Sequence, residues 1–285
     1  MSNKLNVSQN YCYTNASTQI YLNSANADMY LNGTMKSNLT FFFEDSLTFD
    51  NHTMTKKFSI VNAQFPVSYY LINSSNNQIV ISIQGATGII YTFPVGNYNV
   101  NQFIAQWYIT VGSSWTLTYS SITNKITFAY PYSFTFSFYN IKSLMSVLGF
   151  NIPTQMYSSS NGKITSPYAI NFGGILKLDV KTSSFNLTNM DSYQKGRTNT
   201  IASIPVNSAQ NGYVMYNNFT NYNSMFRNSS ITDLNIIIQD EFNNFIDFNN
   251  SDWSITVQID VMTRILDSNE SLQDIYLHYA EHYIK

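Results

Sequence analysis

The sequence is poor in the side chains that do chemistry. Its 285 residues include 1 Cys and 3 His, and only 11% are charged. A single Cys12 excludes an internal disulfide. The 14 Lys and Arg are scattered, with Lys56–Lys57 the only basic pair, and against 16 Asp and Glu the net charge is −2. That balance argues against a phosphate-neutralising surface, and so against specific nucleic-acid binding. No run reaches the ~18 apolar residues that a membrane span needs, and Met1–Asn10 lacks the apolar core of a signal peptide. Gly and Pro are scarce, at 11 and 6, which favours strands over disorder. Nucleophiles, bases and metal ligands are too few for catalysis. The expectation is a binding or building protein, not an enzyme, with no catalytic residues, cofactor, metal or membrane span.

What is present is apolar, aromatic and uncharged-polar. Hydrophobic residues make up 44%, with 22 Tyr and 20 Phe, ample for a sizeable core without disulfides. The polar part is 37 Asn and 60 Ser plus Thr, so amides and hydroxyls stand where charges usually do. Such groups cost less to desolvate against a neighbour than Lys or Glu. The codon bias of an AT-rich genome produces the same composition, and the two readings are compatible.

The clearest periodicity is that of long strands. In Asp252–Val261 the residues Trp253, Ile255, Val257, Ile259 and Val261 alternate with polar partners, the pattern of a strand with one buried face. Further strands are expected at Ser37–Phe49, Thr55–Ile72 (bent at Phe65-Pro66), Gln78–Ile83, Leu176–Val180, Thr200–Ile204, Tyr213–Tyr216, Asp233–Gln239 and Phe245–Ile259. The Leu234–Ile238 strand and the Trp253 strand read as an antiparallel hairpin. Residues 85–172 change character. A helix capped by Asn99 with Gln102 three residues on carries Val100, Phe103, Ile104, Trp107, Tyr108 and Val111 on one stripe and ends at Gly112. A hairpin of Trp115–Tyr119 with Ile126–Tyr130, a strand Phe134–Phe138 and a short helix Ser143–Leu148 follow. This reads as a small α+β unit inserted into a β protein, with its own core around Val100, Phe103, Ile104, Trp107, Trp115, Leu117, Leu144, Leu148 and Phe150. The expected organisation is an N-terminal arm 1–36, a sandwich from 37–84 and 173–262, an inserted α+β domain 85–172, and a C-terminal helical tail 263–285.

Four constellations have chemical readings, and each has a plainer one. His278-Tyr279-Ala280-Glu281-His282 matches the H-x-x-E-H pattern of zinc peptidases, but three residues follow it and no further ligand completes a site. It reads as a solvated face of a terminal helix, whose stripe is Leu272, Ile275, Tyr276, Tyr279 and Tyr283. Asp247-Phe-Asn249-Asn-Ser251-Asp252 is faintly like a calcium loop but lacks its Gly and bidentate Glu, and reads as turn chemistry. Asp240-Glu241 at a hairpin tip reads as a solvated turn rather than a carboxylate pair for glycoside hydrolysis. Tyr69-Tyr70 and the ladder Phe134, Phe136, Phe138 read as core or interface rather than a stacking platform.

Ser37-Asn-Leu-Thr-Phe opening a strand, followed by Ala63-Gln-Phe-Pro-Val-Ser-Tyr-Tyr-Leu-Ile-Asn73, resembles the first sheet of the single jelly-roll penton proteins. These are minor capsid proteins of virophages, polinton-like viruses and related large DNA viruses. Tyr91-Thr-Phe-Pro-Val-Gly-Asn-Tyr-Asn99 with its helix, the Thr116–Phe128 hairpin, Leu144-Met-Ser-Val-Leu-Gly-Phe150, and Leu234–Val261 with Asp252-Trp-Ser-Ile-Thr-Val resemble parts of the same group. The resemblance covers roughly residues 20 to 261. It implies an all-β fold, a single jelly-roll β-sandwich of two antiparallel four-stranded sheets. It also implies a viral capsid protein of the virion, made in the infected host cell, as a homopentamer at the icosahedral five-fold vertices. The implied partners are its own copies, major capsid protein trimers and other minor capsid or cement proteins. The alternative is a jelly-roll receptor- or glycan-binding spike or fibre-type virion protein, because jelly rolls host both roles.

Overall fold

The structure is a computed structural model that describes residues 12–49, 54–138, 142–150, 156–185, 187, 189–191, 196–226 and 228–264. The terminal helix expected near residues 268–283 lies outside them. In chain order, β1 (Cys12–Asn23), β2 (Met29–Tyr30), β3 (Asn38–Thr48) and β4 (Met54–Pro66) come first. Next are β5 (Gln78–Ile83), β6 (Ile89–Thr92), α1 (Val100–Thr110), β7 (Thr116–Ser120), β8 (Lys125–Ala129), β9 (Phe134–Ser137), β10 (Met156–Ser158) and β11 (Lys163–Thr165). The chain then forms β12 (Lys177–Lys181), β13 (Met190–Asp191), β14 (Gly196–Arg197), β15 (Thr200–Pro205), β16 (Tyr213–Asn217), β17 (Ser224–Phe226), β18 (Ser230–Gln239) and β19 (Ser254–Arg264).

Two compact units result. One takes the chain up to Ser68 and from Lys177 on; the other is Tyr69–Leu176. The boundaries differ from the expected 84/85 and 172/173. The reason is β5, whose Ile79 and Ile81 are buried in the second unit's core, with Ile72 beside them, and which pairs there with β6 and β9.

The first unit is all-β and antiparallel. Setting aside the short β2, β13, β14 and β17, eight strands remain among the described residues. Counted along the chain, they lie in the order 1-8-3-6 in one sheet (β1-β19-β4-β16) and 2-7-4-5 in the other (β3-β18-β12-β15). First pairs with last, second with seventh, third with sixth and fourth with fifth. That is one long antiparallel hairpin wound into two sheets, the jelly-roll order. The short β2 extends the second sheet beyond β3, and β17 pairs with β4. The second unit is spliced between the third and fourth strands of the roll.

Two expectations are corrected by this order. The segment 1–36 is not simply an arm outside the sandwich, since its Cys12–Asn23 is the roll's first strand, in register with β19 from Cys12↔Arg264 to Asn23↔Ser254. Its periodicity is weak because Ala16–Gln19 are exposed and, among residues 16–23, Leu22 alone is buried; backbone pairing holds it. Nor do the Leu234 and Trp253 strands form a hairpin: β18 pairs with β3 and β12, and β19 with β1 and β4. Both carry an inward apolar face because they lie in opposite sheets of one sandwich, and alternation is blind to that difference. The chain between them turns at Asp240, closes a bridge from Gln239 to Phe245, and crosses over through Asn249 and Asn250, both at positive φ. Residues 245–253 are therefore a crossing and not strand.

Alternation does predict which side chains face inward. Trp253, Ile255, Val257 and Ile259 are buried, as are Leu39, Phe41, Leu234, Ile236 and Ile238 opposite. Cross-strand rows such as Ile20–Val257–Ile60 and Leu22–Ile255–Ala63 fill one layer. Each large apolar side chain so buried contributes about 1.5–3 kcal/mol. Trp253 sits among Phe41 and Phe65, with ring centroids 6.2 and 6.1 Å away, and its Nε1–H donates to the Lys36 carbonyl at 2.6 Å.

In the second unit, Asn99 and Gln102 form the expected capping box at 2.9 Å in both directions, and Gly112 follows α1 at φ +131. The helix buries Phe103 and Trp107. Trp107 meets Phe128, Trp115 and Phe93 at 4.9, 5.5 and 5.7 Å. The β7–β8 hairpin and β11 form a three-stranded sheet, and β10-β9-β5-β6 a four-stranded one. Ser143–Leu148 is a turn, not a helix: Leu148 N–H reaches Leu144 O, but Phe150 N–H closes back on Met145 O around Gly149. That glycine has φ +74, and a Cβ on it would lie 2.4 Å from the Tyr168 carbonyl oxygen.

Val257→Asp places an unpaired charge at a fully buried position and is expected to cost about 3 kcal/mol or more; Gln258→Lys on the opposite face should cost under about 1 kcal/mol. Urea unfolding of both variants checks the register, and equal tolerance would refute it. Gly149→Ala is expected to lower the stability of the second unit by more than about 1 kcal/mol, read as faster amide exchange along β9 and α1 with β19 unchanged.

Candidate functional site

The constellations singled out in the sequence resolve into structural roles wherever the structure describes them. His278–His282 lies outside the described residues. Asp240 Oδ1 accepts from the Phe242 and Asn244 N–H groups, both at 2.8 Å, and so builds the turn after β18. Asp247 Oδ1 accepts from Asn249 N–H at 2.9 Å, whereas Asp252 is taken by Ser24 and Lys36, so the Asp247–Asp252 carboxylates do not converge. Among the described residues no group of three or more His, Cys, Asp or Glu could hold a metal ion. Phe134, Phe136 and Phe138 are buried core residues and present no stacking platform, while Tyr70 is exposed. Of the basic pair, Lys56 is buried; its Nζ donates to the Asn228 carbonyl and lies 5.4 Å from the Phe49 ring centre. Burial pulls its pKa down, which suits no phosphate contact.

Two surface features of the roll stand out instead. The first is the flank formed by β1 and β2, the edge strands at one side of the two sheets. Residues 12–35 include a single charged residue, Asp28, and that carboxylate accepts from the Phe42 N–H at 2.7 Å. Sheet edges are normally guarded by Lys, Pro or bulges. Here β1 has neither Lys nor Pro, and its one irregularity falls near its start, between Thr14 and Ala16. Tyr21 stands out from it at 76% exposure, and Met29, Tyr30 and Leu31 are exposed beside β2.

The flank is held rigidly at one end. Ser24 N–H donates to the Trp253 carbonyl and Trp253 N–H to Ser24 Oγ, both at 3.0 Å. Ser24 Oγ in turn donates to Asp252 Oδ1 at 2.7 Å, and Tyr30 OH to the Ser24 carbonyl at 2.9 Å. Lys36 Nζ bonds Asp252 Oδ1 at 2.6 Å and the Asn250 carbonyl at 3.0 Å. The hydrogen bonds from Lys36 and Ser24 hold the Asp252 carboxyl below the usual carboxylate range.

The second feature is a cleft of about 550 Å³ at the opposite edges of the sheets, where β15 and β16 lie. Lys177 and Asp179 of β12 and Thr200, Ile201, Ala202 and Ser203 of β15 line one part of it; Asn189, Thr198, Tyr216, Thr220 and Tyr222 line the rest. Asp179 is buried, and both its oxygens bond Lys177 Nζ, at 2.9 and 2.7 Å, while Ser203 Oγ donates to Oδ1 at 2.6 Å. Asn189 Nδ2 donates to the Thr200 carbonyl and Ser224 Oγ, both at 2.7 Å, and the Thr198 and Thr200 hydroxyls bond each other at 2.7 Å. Burial, with Tyr222 nearby, raises the pKa of the Tyr216 phenol, so it stays protonated at neutral pH. Residues 198–226 contain no Asp, Glu, Lys, Arg or His. That run was open to view in the sequence, but the convergence of Asp179 with Tyr222 was not.

The strand order and the sandwich it builds define a jelly-roll protein with a domain spliced into one connection. No protein-family model matches the chain, and no curated protein matches it. Among solved structures, the crystal structure of selenomethionine-labelled mavirus penton protein is similar over 88% of this chain and 100% of its own, with 9% identity and a TM-score of 0.44.

Because its folded pKa is depressed, Asp252 contributes stability that is present above the ordinary value of 3.8 and is lost as pH falls through the lowered one. Acid unfolding of Asp252→Asn is therefore expected to be less steep below about pH 4 than that of the unsubstituted protein; parallel curves would remove the Lys36–Asp252 contact from the argument.

Proposed function

We propose that this protein is a structural component of a viral capsid, a penton whose copies close into homopentamers at the five-fold vertices and contact the major capsid protein. Its role in this reading is assembly without catalysis, and its place is the virion. The observation that carries it is the β1–β2 flank, a long, uncharged sheet edge with exposed Tyr21, Met29, Tyr30 and Leu31. An unguarded edge of that kind invites pairing with another chain, and aromatic and Met anchors with few charges are what interface cores use. The jelly-roll order and the resemblance of residues 37–41, 63–73 and 234–261 to penton proteins support the same reading.

A ring needs a heterologous contact, in which this flank meets a different surface on the next copy and the rotation closes after five. Closing the ring adds a contact without immobilising a further subunit, so each contact can be weak. Few charges are desolvated, so assembly should depend little on salt.

Native mass measurement of the purified protein tests this. The expected species is five times the 32.5 kDa chain, with little change between low and high salt. Tyr21→Lys, a charge at an exposed position of the edge strand, should leave the melting temperature of the roll in place and shift the mass to smaller species. A monomer at every concentration would overturn the penton reading.

A further inference from the structure

We propose that the cleft between the β15 and β16 edges is a binding site for an uncharged saccharide unit of one or two rings. The inference goes beyond the assembly role and does not depend on it, because the cleft lies at the sheet edges opposite the β1–β2 flank.

The chemistry of the lining selects the ligand by exclusion. The cation in it is Lys177 and the acid is Asp179, and each is spent on the other through two short contacts. Among the described lining residues no free positive charge remains to hold a phosphate, sulfate or carboxylate, and no free negative charge to hold a cation. An apolar ligand is disfavoured too: beside Ile201 and Ala202 the lining carries the Thr200, Ser203 and Thr220 hydroxyls, which would lose water and gain no hydrogen bond. What fits is a ligand without charge, with several hydroxyls that both donate and accept, and with one apolar face. A pyranose ring has all three.

The parts are suitably placed. Asp179 is oriented by Lys177 and Ser203, whose three contacts leave one acceptor site, on Oδ2. The hydroxyl pair Thr198–Thr200 and the bound amide of Asn189 make a rigid polar wall, which limits the ordering cost of binding. Tyr222 is half exposed and Tyr216 stands near it; a phenol ring offers a flat apolar surface to the C–H face of a sugar, with a hydroxyl at its rim. At about 550 Å³ the cleft is at the small end of ligand sites, and a single ring should bind with a Kd on the order of 1 mM.

The test is saturation-transfer NMR on the full chain with the methyl glycosides of glucose, galactose, mannose, fucose and N-acetylglucosamine. The methyl glycoside of sialic acid and glucose 6-phosphate serve as charged counterparts. At least one neutral glycoside should receive saturation, and the charged ligands should not. Tyr222→Ala, at an exposed residue outside the sandwich core, should weaken the response at least tenfold with an unchanged melting temperature, whereas Tyr222→Phe should keep most of it. Asp179→Asn, which frees Lys177, should let the charged ligands in, a change that loss of packing alone would not produce. Absence of transfer from every neutral glycoside, or a response indifferent to Tyr222→Ala, would overturn the proposal. So would binding by isolated chains that vanishes in assembled rings, since the cleft would then belong to the neighbouring subunit. Native mass reads assembly separately, so failure here and failure of the penton reading are told apart.

Discussion

The pairing of the first strand with the last is the contact on which the roll depends. β1 and β19 run in register along nearly their whole lengths, and their junction is fixed by the reciprocal bonds between Ser24 and Trp253, 229 positions apart in sequence. β19 lies between β1 and β4, so it sets the position of the first sheet's centre. Trp253, just before β19, reaches across to Phe41 and to the Lys36 carbonyl at the head of the second sheet. One residue, through its backbone and its side chain, therefore ties the roll's first and last strands to both layers. The entropy of closing so long a loop grows only slowly with its length, which is why a 108-residue unit, Tyr69–Leu176, can sit inside it. The splice carries its own aromatic core, so its burial does not draw on the roll's.

Asparagine gives this arrangement its turns. Of the nine non-glycine residues with positive φ among the described ones, seven are Asn: 124, 161, 211, 221, 243, 249 and 250. Asn tolerates the left-handed region because its short amide can bond nearby backbone. With 11 Gly in the chain, much of the chain reversal falls to Asn. The crossing from β18 to β19 shows this directly, since Asn249 and Asn250 adopt φ 48 and 61 while Asp247 caps the turn. Whatever the source of the Asn, backbone geometry accounts for where it is used in these turns.

Elements whose side chains settle their own fate were legible in the sequence. The capping box at Asn99, the stripe through Phe103 and Trp107, and the inward face of Trp253 to Ile259 each follow from local periodicity, and each is where it was expected. β1 was hidden because Ala16 to Gln19 face solvent and its stability comes from a partner some 240 residues away. The partners of β18 and β19 were hidden for a related reason: an inward apolar face is the same whether a strand pairs beside another or packs across from it. At Ser143–Leu148 the apolar spacing was helical, but Gly149 turns the chain under the Tyr168 carbonyl before a second turn forms. The cleft was the least legible feature, as it gathers Lys177, Asn189, Thr200 and Tyr222 from segments with no common motif.

Neutrality links the surface to the interior. Where this protein has charges within the roll, it tends to consume them: Lys36 with Asp252, Lys177 with Asp179, Lys181 with the Asn243 amide, Lys56 with the Asn228 carbonyl. A surface with so few charges, exposed Glu44, Asp45 and Arg197 among them, has only a weak long-range field to steer a partner, so recognition rests mainly on shape, hydrogen bonds and aromatic anchors at contact distance. Such contacts are short-ranged and little affected by salt. They also discriminate by geometry, because a misaligned neighbour leaves donors and acceptors unpaired at about 1–3 kcal/mol for each buried group. An edge strand with regularly spaced backbone groups imposes that geometry more strictly than a charged patch does, since a shift of one residue turns every side chain to the other face. The scarcity of charge is thus also what makes its edges selective.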